Sequence, residues 1–208
     1  MHELAPGIRL LQLEDYRHML WKNGLGTTTE ITVSPIEAGL NGKPFDWRVS
    51  IAEIDNDCEF SRFPGYDRSL TLIERAGMEL SFDSAPSQRI DQHDVSFTFK
   101  GESQTYCRLL DGPVLNFNVM SRQEKFKHAC EVLSSPGSIH WKVDTKILLI
   151  YCPYGVFNLE GLQEKQIEMN RGQTLILDKG ADHPGYENFW ISAMSENMVA
   201  VIVNISNA

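Results

Sequence analysis

Apolar and polar residues alternate over short runs along this chain, and Gly, Pro, Asn and Asp interrupt the runs every few residues. Alternation of period two between turn formers marks half-buried strands. It predicts strands at residues 8–13, 28–33, 46–53, 69–74, 78–82, 95–99, 106–110 and 114–120. A second series follows at 138–143, 147–151, 155–159, 166–169, 174–178, 190–194 and 199–205. Helical spacing is confined to residues 13–20, with a weaker turn at 122–126. So many short strands predict an all-β sandwich or barrel with few short helices.

A polar stretch rich in Lys and His runs into Ser134-Ser135-Pro136-Gly137, where a domain boundary is expected. It would divide an N-terminal barrel at 1–133 from a C-terminal one at 134–208, with exchange of strands between them left open. The step Arg171-Gly172-Gln173 into Thr174 resembles Lys100-Gly101-Glu102 leading to the strand at 106–110. This weak internal repeat suits two barrels of one kind in tandem.

Composition narrows the partners. Across 208 residues, 42% are hydrophobic and 23% charged, the balance of a folded globular chain. The net charge of −9 repels phosphate backbones and anionic lipid, so neither nucleic acid nor membrane is expected as a partner. The start, Met1-His2-Glu3-Leu4-Ala5-Pro6, has no basic segment before an apolar run, and the apolar run at 147–152 is too short to cross a bilayer. Cys58, Cys107, Cys130 and Cys152 are scattered, with no CxxC pair. Core thiols in a reducing cytoplasm are the expectation, rather than a zinc ribbon or disulfide framework.

Three polar clusters carry the candidate chemistry. In Trp21-Lys22-Asn23-Gly24-Leu25-Gly26-Thr27-Thr28-Thr29-Glu30, the glycines predict a tight loop entering a strand. Alternation puts Thr28, Glu30 and Thr32 on one face of that strand. No helix follows the loop, so it lacks the dipole of a phosphate cradle. In Phe45-Asp46-Trp47-Arg48-Val49-Ser50-Ile51-Ala52-Glu53, Arg48 shares a face with Ser50 and Ala52. If that face points inward, Arg48 needs either Glu30 on a neighbouring strand or an anionic ligand, since an unpaired buried charge is costly. In Phe60-Ser61-Arg62-Phe63-Pro64-Gly65-Tyr66-Asp67-Arg68, a Pro-Gly turn is bracketed by aromatics, with Phe63 as a pocket wall and Arg68 as a second anion donor.

The six histidines, His2, His18, His93, His128, His140 and His183, include no His-x-His pair to aim two imidazoles inward from a strand. His93, between Asp91 and Asp94, reads as part of a solvated turn. No metal and no other cofactor is expected. There is no GxSxG elbow and no evident Cys–His pair.

These clusters, with Leu115-Asn116-Phe117-Asn118-Val119-Met120-Ser121-Arg122, resemble the HutD/Ves family of bacterial proteins associated with histidine utilisation or stress induction. The resemblance runs in register over residues 9–122; beyond it, likeness is one of size and β-character. Two positions depart from the family pattern. Leu25 replaces a usual glycine and would make the pocket mouth bulkier, and Asn116 replaces a common aspartate, removing a charge. The resemblance implies a bicupin, two cupin barrels in tandem without the usual metal, and a role as binder of an intermediate of histidine breakdown that governs flux.

Three functions are weighed on these residues. In the first, a small carboxylate such as urocanate or formylglutamate is held by Arg48 and Arg68, with walls from Trp21 and Phe63 and polar contacts from Asn23, Thr28, Glu30, Ser50, Ser61, Asn116 and Asn118. In the second, a metal-independent isomerase or hydrolase uses Glu30 as base, the one catalytic candidate. In the third, the acidic surface regulates another protein. Nothing in the sequence sets an oligomeric state, and a homodimer is left open.

Overall fold

The computed structural model describes every residue except 1, 22, 23, 42, 43, 84, 135, 136, 163, 164 and 180–186. The expected site residue Asn23 and its neighbour Lys22, the boundary residues Ser135 and Pro136, and His183 therefore lie outside the described residues. The chain divides into two compact units, Tyr16–His128 with Ala208, and Met1–Asp15 with Ala129–Asn207.

In chain order, β1 (His2–Ala5) and β2 (Ile8–Leu11) precede a single 3-10 turn at Leu13–Asp15. Then come β3 (Arg17–Leu20), β4 (Gly26–Ser34), the helix α1 (Ile36–Asn41), β5 (Trp47–Ile54) and β6 (Cys58–Glu59). They are followed by β7 (Tyr66–Glu74), β8 (Met78–Phe82), β9 (Gln88–Ile90), β10 (Ser96–Lys100), β11 (Thr105–Leu109) and β12 (Val114–Arg122). The remainder is β13 (Phe126–Leu133), β14 (Ser138–Lys142), β15 (Ile147–Tyr154), β16 (Val156–Leu162), β17 (Lys165–Asn170), β18 (Thr174–Asp178), β19 (Asn188–Ala193) and β20 (Val199–Asn207).

Each unit rests on one six-stranded and one four-stranded sheet. In the first unit these run β10-β7-β12-β5-β4-β3 and β6-β11-β8-β9. The second has β1-β2-β18-β15-β20-β13 and β14-β19-β16-β17. Strand by strand, β18-β15-β20-β13 repeats the order β10-β7-β12-β5, and β14-β19-β16-β17 repeats β6-β11-β8-β9. The expected all-β class is what the structure shows, and this shared eight-strand plan fits a tandem of cupin barrels.

The repeat is offset from its sequence reading. Arg171-Gly172-Gln173 links β17 to β18, and topology matches those strands to β9 and β10. Its counterpart is the turn around His93 and Asp94, not Lys100-Gly101-Glu102. The units also divide after His128 rather than after 133, and β1 and β2 join the second unit, because β2 pairs with β18. An edge strand is satisfied by whichever sheet offers free backbone groups, whatever its distance along the chain.

All fifteen expected strands are present in whole or large part, while β1, β3, β6, β9 and β13 were not expected. The expected helix at 13–20 is instead the 3-10 turn followed by β3. Pairing of β3 with β4 satisfies backbone groups that an isolated helix of about two turns would leave open. The one α-helix among the described residues, α1, lies where none was expected.

In the second unit Leu148, Ile150, Phe157, Leu175, Phe189 and Ile202 form the centre of one large apolar core. Residues Ile54, Cys58, Leu70, Leu72, Met78, Leu80 and Cys107 fill one end of the first unit. A smaller cluster of Phe45, Tyr66, Met120 and Val33 packs elsewhere in it. Between these two clusters, the sheet carries polar and charged side chains inward.

Candidate functional site

The inward face of the β7-β12-β5-β4 part of the sheet lines a cavity of about 440 Å³. Such a volume suits a small organic ligand. β5 contributes Arg48, Ser50, Ala52 and Ile54, β7 contributes Arg68 and Leu70, and β12 contributes Asn116, Asn118 and Met120. Alternation along each strand explains the selection, since every second residue faces the same way. The other walls are Met19 to Trp21 at the end of β3, Thr28, and the segment from Glu59 to Ser61 with Phe63.

Register fixes the arginines. Met120 lies opposite Arg48 on one side and Arg68 on the other, so both guanidinium groups rise from one row of the sheet. Arg48 is matched: its Nε lies 2.8 Å from Glu30 Oε2. Glu30 Oε1 lies 3.1 Å from Arg17. Burial lowers the Arg48 pKa and Glu30 opposes that shift.

Arg68 is not matched. Its side chain donates to the backbone oxygen of Ser61 at 3.3 Å, and no carboxylate among the described residues reaches it. Three rings surround its Cζ, Phe99 at 5.0 Å, Phe60 at 5.3 Å and Phe63 at 5.7 Å from their centroids. Cation–π contacts offset part of the lost hydration. The residue is only 7% exposed. Burial, with a smaller push from the Arg48 charge, brings its pKa down to about 10, which still leaves a cation at neutral pH.

Local structure supports the walls. Trp21 Nε1 donates to Thr28 Oγ1 at 2.8 Å, fixing the indole across the β3–β4 hairpin. Gly26 permits that placement, because a Cβ there would collide with the Glu53 backbone oxygen and come within 3.2 Å of the Trp21 ring. Phe63 leans on Phe45 and Tyr66, whose hydroxyl donates to the Phe45 carbonyl at 2.6 Å. Asn116 donates from Nδ2 to the Ala52 carbonyl at 3.2 Å, and its Oδ1 is buried with no donor among the described residues.

Of the expected site residues, Trp21, Thr28, Arg48, Ser50, Ser61, Phe63, Arg68, Asn116 and Asn118 all line the cavity. Glu30 sits behind Arg48 and does not line it. A bulge between Glu30 and Thr32 turns Thr32 away from the face of Thr28 and Glu30, so the expected alternation ends at Ile31. Leu25, expected at the pocket mouth, packs instead against the apolar cluster of this unit. Sequence reasoning missed Met19, Leu20, Ala52, Ile54, Glu59, Phe60, Leu70 and Met120. Ala52, Ile54, Leu70 and Met120 follow from extending the same alternation.

On the opposite face of the sheet His128 bridges two strands. Its Nδ1 lies 2.7 Å from Ser121 Oγ and its Nε2 lies 2.8 Å from Ser69 Oγ, which in turn meets Thr98 Oγ1 at 2.7 Å. Burial pulls the imidazole pKa down to about 4. Among the described residues no group of three or more His, Cys, Asp or Glu side chains is placed to hold a metal ion. No helix among them is long and apolar enough to cross a membrane.

The chain is similar to several known proteins. The uncharacterized 21.2 kDa protein in the hutC 3' region of Pseudomonas putida is 34% identical over 160 residues, covering 77% of this chain and 82% of that protein. Protein Ves of Citrobacter koseri is 37% identical over 109 residues, 52% of this chain and 54% of that protein. HutD from Pseudomonas fluorescens SBW25, solved in a formate condition, is 27% identical with a TM-score of 0.80, covering 97% of this chain and 99% of that one. A cupin 2 conserved barrel domain protein from Leptotrichia buccalis, at 9% identity and a TM-score of 0.55 over 91% of this chain and 96% of its own, shares the fold. The HutD family model matches residues 13–189, well beyond the 9–122 stretch that carried the resemblance in sequence, and the chain belongs to the HutD family.

Proposed function

We propose that this protein binds a small carboxylate in the cavity of its first unit, without a metal, and acts as a regulatory binding protein in histidine utilisation or stress response. The observation that carries the reading is Arg68, a buried cation at a cavity wall with no carboxylate partner among the described residues. Leaving a guanidinium so placed is costly unless an anion meets it, and its planar fork suits a carboxylate. The relative beside hutC supports the pathway, and urocanate and formylglutamate are the acids of that pathway to try first. Four free thiols among the described residues fit a reducing cytoplasm.

Binding is favoured over catalysis by the state of Glu30. Both of its oxygens face guanidinium groups, and it stands behind the cavity wall, away from any substrate proton. The third reading, a protein-interaction surface, has no comparable observation behind it. Calorimetric titration of the purified protein with urocanate, formylglutamate and the primary amides of both is the test. Heat with an acid and none with its amide is expected; equal behaviour of acid and amide, or no heat with any of them, overturns the reading.

A further inference from the structure

The cavity and its backing hold few charges, and they do not cancel. Among the described residues Arg48, Arg68 and Glu59 line it, with Glu59 exposed at one side. Glu30 and Arg17 stand directly behind Arg48. Three cations against two carboxylates leave one positive charge to be met. Arg48 is ion-paired with Glu30 through its Nε, and it shares a row of the sheet with Arg68 across Met120.

We propose that the site selects monoanionic acids over dianionic ones, with the Arg48–Glu30 pair as the device that limits the positive charge on offer. This rests on the carboxylate-binding reading and narrows it to a class: of the two acids named above, urocanate with its one carboxylate fits, and formylglutamate with two is expected to bind more weakly. One carboxylate completes Arg68 and shares the outer face of Arg48. A second carboxylate on the same ligand finds Ser50, Asn116, Asn118 and apolar walls, with no free cation among the described residues, and must be desolvated without a charge partner. Glu30 is thus a specificity-setting residue that never touches the ligand.

The test is a pair of probes of similar size and shape, glutarate and its monomethyl ester, titrated into the full-length protein at pH 7.5. The monoester is expected to bind at least tenfold more tightly than the diacid. In Glu30→Gln, where Arg48 is released, the preference is expected to shrink or invert, through a gain in diacid affinity. Glu59→Gln, an exposed change that leaves the Arg48 pair intact, keeps the comparison readable if Glu30→Gln does not fold, and is expected to raise diacid affinity by a few fold. A diacid that binds the wild type as well as the monoester overturns the charge-limited site while carboxylate binding stands. If neither probe binds and urocanate and formylglutamate also fail, the carboxylate reading itself falls.

Discussion

Arg48 and Arg68 share one row of the sheet across Met120, yet among the described residues only Arg48 has a carboxylate partner. Two residues that look alike in sequence thus differ in state. One is part of the scaffold's own charge pairing, and the other is left for something outside the protein. Retaining an unmatched buried cation works against stability, as functional groups commonly do.

That asymmetry sets opposite expectations for stability and binding. Arg68→Met should leave folding stability unchanged or raise it by up to about 2 kcal/mol, since an apolar chain replaces an unpaired buried charge. Carboxylate affinity should fall by about 3 kcal/mol as the main anion partner goes. Urea unfolding and calorimetry on the same samples check both. Marked destabilisation with binding intact would make Arg68 structural.

Glu30→Gln should act the other way. Removing the carboxylate leaves Arg17 and Arg48 uncompensated, and destabilisation of about 3 kcal/mol is expected from breaking one side of a buried pair. Part of the loss should return on adding a saturating carboxylate, because the ligand supplies the missing negative charge. Thermal unfolding with and without the acid gives the comparison. A ligand-induced shift no larger than in the wild type would speak against the pairing argument.

Gly26 is the backbone counterpart of these side chains. Gly26→Ala should cost about 1–3 kcal/mol, because the added methyl group meets the Glu53 carbonyl and the Trp21 ring. The expected signature beyond stability is weaker ligand binding in the folded fraction, since Trp21 would be pushed from the cavity wall. A crystal structure of the variant with Trp21 unmoved would contradict this.

Acid should loosen the first unit through His128. Its folded pKa of about 4 lies below the ordinary value of 6.5, so between these values the unfolded chain binds more protons than the folded one. The contribution is therefore fully present above pH 6.5 and is lost as pH falls toward 4. By pH 5 the loss from this group is expected to reach about 2 kcal/mol. His128→Gln should flatten that part of the stability profile in urea unfolding at pH 7.5 and pH 5. An unaltered slope would assign the acid sensitivity to other groups.

The fold was legible wherever apolar runs are closed by Gly or Pro. Residues 78–82 and 174–178 match β8 and β18 end to end. Legibility failed at β3 and β13, whose burial alternates between half-buried and exposed rather than between buried and exposed. Leu13, Tyr16 and Leu20 happen to fall at helical spacing, which turned an edge strand into an expected helix. The Lys- and His-rich run of β13 reads as a polar stretch before the expected boundary, although His128 within it is held between two serines.

For the site, alternation put Arg48 and Ser50 on one face of a strand, and motif singled out Arg68 as a second anion donor. The Glu30 partner of Arg48 is one of the two alternatives that the sequence offers; what the chain alone does not decide is that Glu30 takes Arg48 and Arg17 and that Arg68 has no carboxylate among the described residues. That depends on the bulge after Glu30 and on the strand order β7-β12-β5-β4, both products of packing between distant segments.

The most direct measurement is a crystal structure of the protein soaked with a monocarboxylic acid that binds it in solution. The expected density is a carboxylate over Met120, with an oxygen at hydrogen-bonding distance, about 2.7–3.2 Å, from the Arg68 guanidinium. An acid bound elsewhere on the molecule, with Arg68 still meeting only Ser61 and its three rings, would contradict the proposal that Arg68 is the anchor.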